Sequence, residues 1–230
     1  DSWAGGWSAL AAYGYLGNQS IPSTKPVKVV TDADIVGDSG MYYWSNDTVY
    51  NVAGFLYVDS ANTLVVEPGT VVKGNQGSGA AASALIVAQT GTMLAQGTEC
   101  YPIVMTSIID DVNDPGDIPF SDARGKWGGL IVLGNAPINT TTGVGQIEGI
   151  PETEPRGAYG GSDAADNSGE YNYVSIRHGG SEIGAANEIN GMTMGGVGRG
   201  TEVSNVEVIF NLDDGFEWFG GTVDADHLVA

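Results

Sequence analysis

The chain is a succession of short apolar runs broken by turns. Thr63-Leu64-Val65-Val66, Val71-Val72, Ala84-Leu85-Ile86-Val87, Met93-Leu94, Ile103-Val104-Met105 and Leu130-Ile131-Val132-Leu133 each hold two to four apolar or β-branched residues, and Gly, Asn, Asp or Pro lies near most of them. Such runs predict short strands. Beyond about residue 16 no stretch keeps apolar residues at i, i+3, i+4 and i+7, so amphipathic helices of three or more turns are not expected. Further along, Asn172 to Ile176, Gly191 to Met194, Asn205 to Val208 and Gly215 to Trp218 alternate apolar with polar or aromatic residues, as strands with one buried face do.

The runs recur. Leu64-Val65-Val66 returns as Leu85-Ile86-Val87 after 21 residues, and Gly69-Thr70-Val71-Val72 returns as Gly91-Thr92-Met93-Leu94 after 22. A unit of this length, with two or three very short strands separated by glycine-bearing turns, fits one coil of a parallel β-solenoid. Each coil stacks on the next and buries an interior that no coil could bury alone. The stretches Asp110 to Arg124 and Gly149 to Glu170, rich in Pro, Gly and Asp, are expected as loops projecting from the coils.

A resemblance follows from these residues. Thr63 to Gly74, Ala84 to Val87, Gly97-Thr98 and Pro102 to Ser107 look like the recurring pattern of secreted bacterial right-handed parallel β-helix proteins of the pectate-lyase-like fold. Gly125-Lys126-Trp127-Gly128-Gly129-Leu130-Ile131-Val132-Leu133-Gly134-Asn135-Ala136-Pro137 and Asp213 to Gly221 are similar to segments in an uncharacterised cell-surface group with that fold. The resemblance covers roughly residues 49 to 230. It implies an all-β, right-handed parallel β-helix and an extracellular or cell-surface location. Enzymes, adhesins and passive surface proteins share the architecture, so it implies no activity. The expected division is an N-terminal arm or cap with its lead-in over residues 1–48, and the β-helix over 49–230.

Charge and composition narrow the function. With 28 acidic and 8 basic residues the formal charge is −20, which excludes nucleic acid as a partner. No stretch approaches the roughly 20 apolar residues of a membrane span, and Asp1 to Gly6 lack the basic region and apolar run of a signal peptide. Cys100 is the single cysteine, so neither an intrachain disulfide nor a cysteine-based zinc site can form. It is expected to be a buried or idle thiol.

Two acidic clusters are candidate metal ligands. Asp110, Asp111, Asp114 and Asp117, with Asp122 beyond them, would repel one another unless solvated or bridged by a cation, and the second cluster joins Asp213, Asp214 and Glu217 with Asp224 and Asp226 nearby. Hard oxygen ligands of this kind suit calcium, the one cofactor the sequence points to. Pro115 stands where an EF-hand loop needs an oxygen, which rejects that motif. Solvated turns are the simpler account of both clusters.

Catalytic signatures are sparse. Arg177-His178-Gly179-Gly180 offers a base and a charge clamp for a lyase, against a local pairing of Arg177 with acids such as Glu182. No Gly-x-Ser-x-Gly elbow occurs. The first 24 residues, with Trp3, Trp7, Tyr13 and Tyr15 among Gly and Ala, read either as a cap over the first coil or as an aromatic arm for a neighbouring subunit. The leading functional reading is therefore a non-enzymatic, self-associating structural protein of the cell surface that assembles end to end into filaments. The alternative is a carbohydrate-binding or polysaccharide-cleaving β-helix.

Overall fold

The computed structural model describes residues 3–13, 24–35, 40–59, 61–114, 116–184 and 187–230. Among these residues the regular structure is mostly short strands, with one α-helix of four residues, Ala9–Ala12, and four 3-10 helices of three residues each. The strands form a parallel β-helix with three walls.

The first wall stacks Met41–Trp44, Thr63–Val66, Thr92–Gln96 and the leading halves of Gly169–Arg177 and Glu202–Ile209. The second stacks Val27–Val30, Val49–Val52, Val71–Gly74, Ile103–Ser107 and the trailing halves of the same two long strands. The third stacks Phe55–Val58, Ala84–Val87, Leu130–Leu133, Met192–Gly195 and Phe216–Phe219. Ala225–Val229 adds to the first two walls beside Glu202–Ile209. Every pairing within the walls is parallel, as a coil that returns to the same side after each turn requires.

The coil exists as expected, but its register differs from the apparent repeat. Leu64 lies beside Met93 in the first wall, whereas Leu85 lies beside Leu56 and Leu130 in the third. Val71 pairs with Val49 and Val104, and Met93 with Leu64 and Gly169. The similar triplets thus occupy different sides of one coil. True steps are 22 residues from Met41 to Thr63 and 29 from Thr63 to Thr92. Stacking also begins at Val27, well before residue 49, so the lead-in contributes strands to the solenoid.

Alternation sends one residue in two inward. Leu56, Leu85, Leu130, Met192 and their counterparts Val58, Val87, Val132 and Met194 fill the interior from the third wall, opposite Leu64, Met93, Val72, Met105 and Ile176. Trp127 enters the same interior and donates its indole N–H to the Arg177 carbonyl at 2.8 Å. It fits because Gly74 has no side chain: a Cβ there would come within 2.5 Å of the indole.

The outer faces are covered unevenly. Residues 134–168, an insertion between Leu130–Leu133 and Gly169–Arg177, lie along the third wall, with Ile147, Ile150 and Tyr159 packed over Tyr57, Ile86 and Ile131. Arg156 from this insertion binds Asp32 at 2.9 Å and sits 3.9 Å over the Tyr57 ring, tying it to the first coil. Residues 3–13 cross the second wall at its late coils. Trp7 is fully buried and packs on Tyr173, Trp3 packs on His227, and Tyr13 packs on Phe210. Tyr173, Asn205 and His227 all adopt left-handed backbone where the first wall bends into the second, and a non-glycine residue holds that conformation at a cost that packing must offset. The described part of the aromatic segment, residues 3–13, therefore lies on the flank of its own solenoid at the late coils and does not cap the first coil. Apart from Thr24, the rest of the expected arm, residues 1–2 and 14–23, lies outside the described residues.

Candidate functional site

One stretch of the second wall's outer face forms a groove. On the second wall's early coils, Val27, Val49 and Val71 form an apolar row beside a second row of Asn51 and Lys73. Thr24 and Lys25 bound this floor on one side, and Ile108, Asp111, Val112 and Asn113 overhang it on the other. The result is a groove of about 410 Å³, within the range of small-molecule sites.

Its polar groups are placed by the strands beneath. Asn51 points outward because Tyr50 and Val52 point in, and it is only 7% exposed, with its amide oxygen bonded to nothing. A buried acceptor without a partner costs roughly 1–3 kcal/mol, so the site is energetically open to a donor. Lys73 donates to the Asp110 carbonyl at 2.5 Å, and Lys25 to the Gly69 carbonyl at 3.1 Å, leaving each ammonium further N–H groups. Burial lowers the Lys25 pKa below its usual value, opposed by the Asp47 carboxylate. Two of the chain's eight basic side chains thus border one groove of a strongly acidic protein.

The acidic loop above is organised by its own backbone. The Asp110 carboxylate is buried and accepts from the Thr106 hydroxyl at 2.5 Å. Asp111 accepts from the Asn113 N–H at 3.1 Å, Asp114 from the Gly116 N–H at 3.0 Å, and Asp117 from the Asp111 N–H. The Asp111, Asp114 and Asp117 carboxylates therefore accept backbone N–H groups of the loop itself. Asp213 and Asp214 are exposed, while Glu217 lies half-buried on the outer third wall and receives the Asn190 amide N–H. Among the described residues, no three His, Cys, Asp or Glu side chains are arranged to hold a metal ion. The seven predicted ligands are thus not brought together as two carboxylate cages.

Arg177 and His178 are buried rather than poised at an open strand end. Arg177 Nε donates to Ser175 Oγ at 2.8 Å, and Ser175 Oγ donates to Glu207 at 2.5 Å. Glu207 also receives the Ala9 N–H at the start of the short helix. His178 Nδ1 donates to the Ala123 carbonyl at 2.6 Å, its ring stacks on Phe210, and Nε2 stands 3.9 Å from Asp110 without a hydrogen bond. Cys100, expected to be buried or idle, is exposed.

Asn51 was missed by sequence reasoning. It is a lone amide in a valine strand, and aligning Val49-Tyr50-Asn51-Val52 with Val71-Val72-Lys73-Gly74 at the true 22-residue step would have placed Asn51 and Lys73 side by side.

A family model described as a pectate-lyase like beta helix domain matches residues 38–230. The chain belongs to this family. No curated protein and no solved structure matches it. The β-helix family accounts for the three stacked walls, and the groove lies inside the span it covers except for Thr24, Lys25 and Val27. No described helix is long and apolar enough to cross a membrane.

Proposed function

We propose that this β-helix is an extracellular carbohydrate-recognition protein whose ligand lies in the groove over Val27, Val49, Val71, Asn51 and Lys73. The carrying observation is the unpaired, buried amide oxygen of Asn51 beside an apolar row. A sugar presents both features in reverse: hydroxyl edges that donate hydrogen bonds and C–H faces that pack on apolar surface. Membership of a pectate-lyase-like β-helix family supports the same reading. Asn113, Asp111 and the two lysines border the groove, where they can fix the orientation of further hydroxyls. A glycan array probed with the intact protein tests the proposal, followed by calorimetry of the best ligand against Asn51→Ala. Loss of one hydrogen bond to a sugar hydroxyl weakens binding by about 0.5–1.5 kcal/mol, a factor of roughly 2–13. Absence of any glycan signal, or unchanged affinity in the variant, contradicts the groove.

A second reading is a structural protein that associates through the solenoid ends. Trp218 favours it: this residue occupies an inward-facing row of the third wall, yet is 44% exposed because no strand stacks beyond Phe216–Phe219 among the described residues. Sedimentation that shifts with protein concentration supports this association.

A further inference from the structure

Beneath the insertion that covers the third wall lies a second polar site. The outward row there runs Tyr57, Ile86, Ile131, Thr193 and Glu217, apolar at one end and polar at the other. Over the polar end the insertion places Glu148 immediately after the buried Ile147. Ile131, Glu148, Ile189, Asn190, Thr193 and Glu217 are among the residues that line a small, partly open space of about 10 Å³. This is about the smallest volume that holds a single water.

The polar groups facing that space, beside Ile131, Ile147, Ile189 and Phe219, are electron-rich. Asn190 is 6% exposed and spends its amide N–H on Glu217, while its amide oxygen has no partner. Every charged group that bears on Glu217, namely Glu148, Asp214 and Asp213, is acidic. Burial and these neighbours raise the Glu217 pKa above its usual value, so the carboxylate is held where a negative charge is unfavourable. Ile131, Ile147 and Ile189 offer no donors to offset it. What the cavity lacks is a positive charge that accepts several oxygens at once.

We propose that Glu148, Glu217 and Asn190 bind one hard divalent cation of the calcium type, with the Thr193 hydroxyl beside it. Calcium takes six to eight oxygen ligands in irregular geometry, and two carboxylates with an amide oxygen supply three to five of them. Waters complete the set from the Glu148 side, which faces solvent. The cation joins the covering insertion to the wall beneath, because Glu148 belongs to one and Glu217 to the other. This site differs from both clusters of the sequence analysis: it shares Glu217 but replaces the exposed Asp213 and Asp214 with Glu148 and Asn190. It is independent of the carbohydrate reading.

The test uses the intact protein, stripped with chelator and titrated with terbium, whose luminescence is sensitised by the nearby Trp218 and Tyr159. Calcium is then added as competitor, and calcium alone is followed by calorimetry. The expected result is one saturable site per chain with a dissociation constant of about 10⁻⁴–10⁻³ M, the range of extracellular calcium modules, and terbium emission quenched by calcium. Glu217→Gln and Glu148→Gln should each abolish the signal, whereas the double variant Asp213→Asn, Asp214→Asn should keep it. Glu148 lies in an exposed stretch, so its variant reports binding even if Glu217→Gln fails to fold. No saturable signal in the wild type, a signal that survives Glu148→Gln, or one lost with Asp213 and Asp214 overturns the proposal.

Discussion

Asn51 and His178 are both buried and both keep one polar atom without a partner, but their surroundings differ. Asn51 borders an open groove, where a ligand can supply the missing donor. His178 is sealed between Ala123, Asp110, Arg177 and the Phe210 ring, with Asp117 also acting on it. Burial is the largest influence on its imidazole and lowers the pKa below 6.5, outweighing the nearby Asp110. As pH falls, the unfolded chain therefore takes up the proton before the folded one. The native state keeps its full stability above about pH 6.5, loses some as the pH falls toward the folded-state pKa, and levels off below it. His178→Gln keeps a donor toward Ala123 and removes the titration. The gap between wild-type and variant melting temperatures should be constant above about pH 7 and should narrow toward pH 5, within the usual range of histidine titration. A gap independent of pH would contradict the burial of a neutral ring.

The elements divide into those visible in the chain and those that only packing reveals. Thr63–Val66, Ala84–Val87, Ile103–Ser107 and Leu130–Leu133 were legible because apolar β-branched runs between turns have few other uses. Their register was not, because inward-facing Leu64 and Leu85 satisfy the same burial on different walls, and insertions stretch the step from 22 residues to 76 between Met93 and Gly169. The N-terminal aromatics announced a packing role without saying where. Trp7 is fully buried against Tyr173, and the Ala9 N–H meets the buried Glu207 carboxylate, so the segment and the wall complete one another. Trp7→Ala removes a side chain whose loss from a core typically costs 3–5 kcal/mol. It should free residues 3–13 while leaving the coils stacked. The expected signs are faster proteolysis near the N-terminus and a weaker near-ultraviolet aromatic signal, with the far-ultraviolet β spectrum unchanged. Wild-type protection of the N-terminus would show that Trp7 does not anchor it.

At the scale of the whole molecule, the three walls bury one continuous interior, and function depends on what covers them outside. The insertion 134–168 covers the third wall, the segment 3–13 covers the late coils of the second, and the loop after Ile103–Ser107 overhangs the middle. What remains uncovered includes the first wall's outer face, where Met41 and Tyr43 are exposed, and the groove over Val49 and Val71. None of this covering was legible in the chain, because a loop's resting place is set by the shape of the wall rather than by any local pattern. The acidic clusters were legible as charge, but their partners were not: Asp110 turns inward to Thr106, and Glu217 faces Glu148 and Asn190, far from it in sequence. The groove is tested most directly by amide hydrogen exchange of the protein with and without its best-binding oligosaccharide. Binding in the groove predicts slowed exchange confined to residues 24–29, 49–52, 71–73 and 108–113. Protection instead at residues 138–140 and 216–220, where Asn139, Thr140 and Trp218 border another surface hollow, would contradict it.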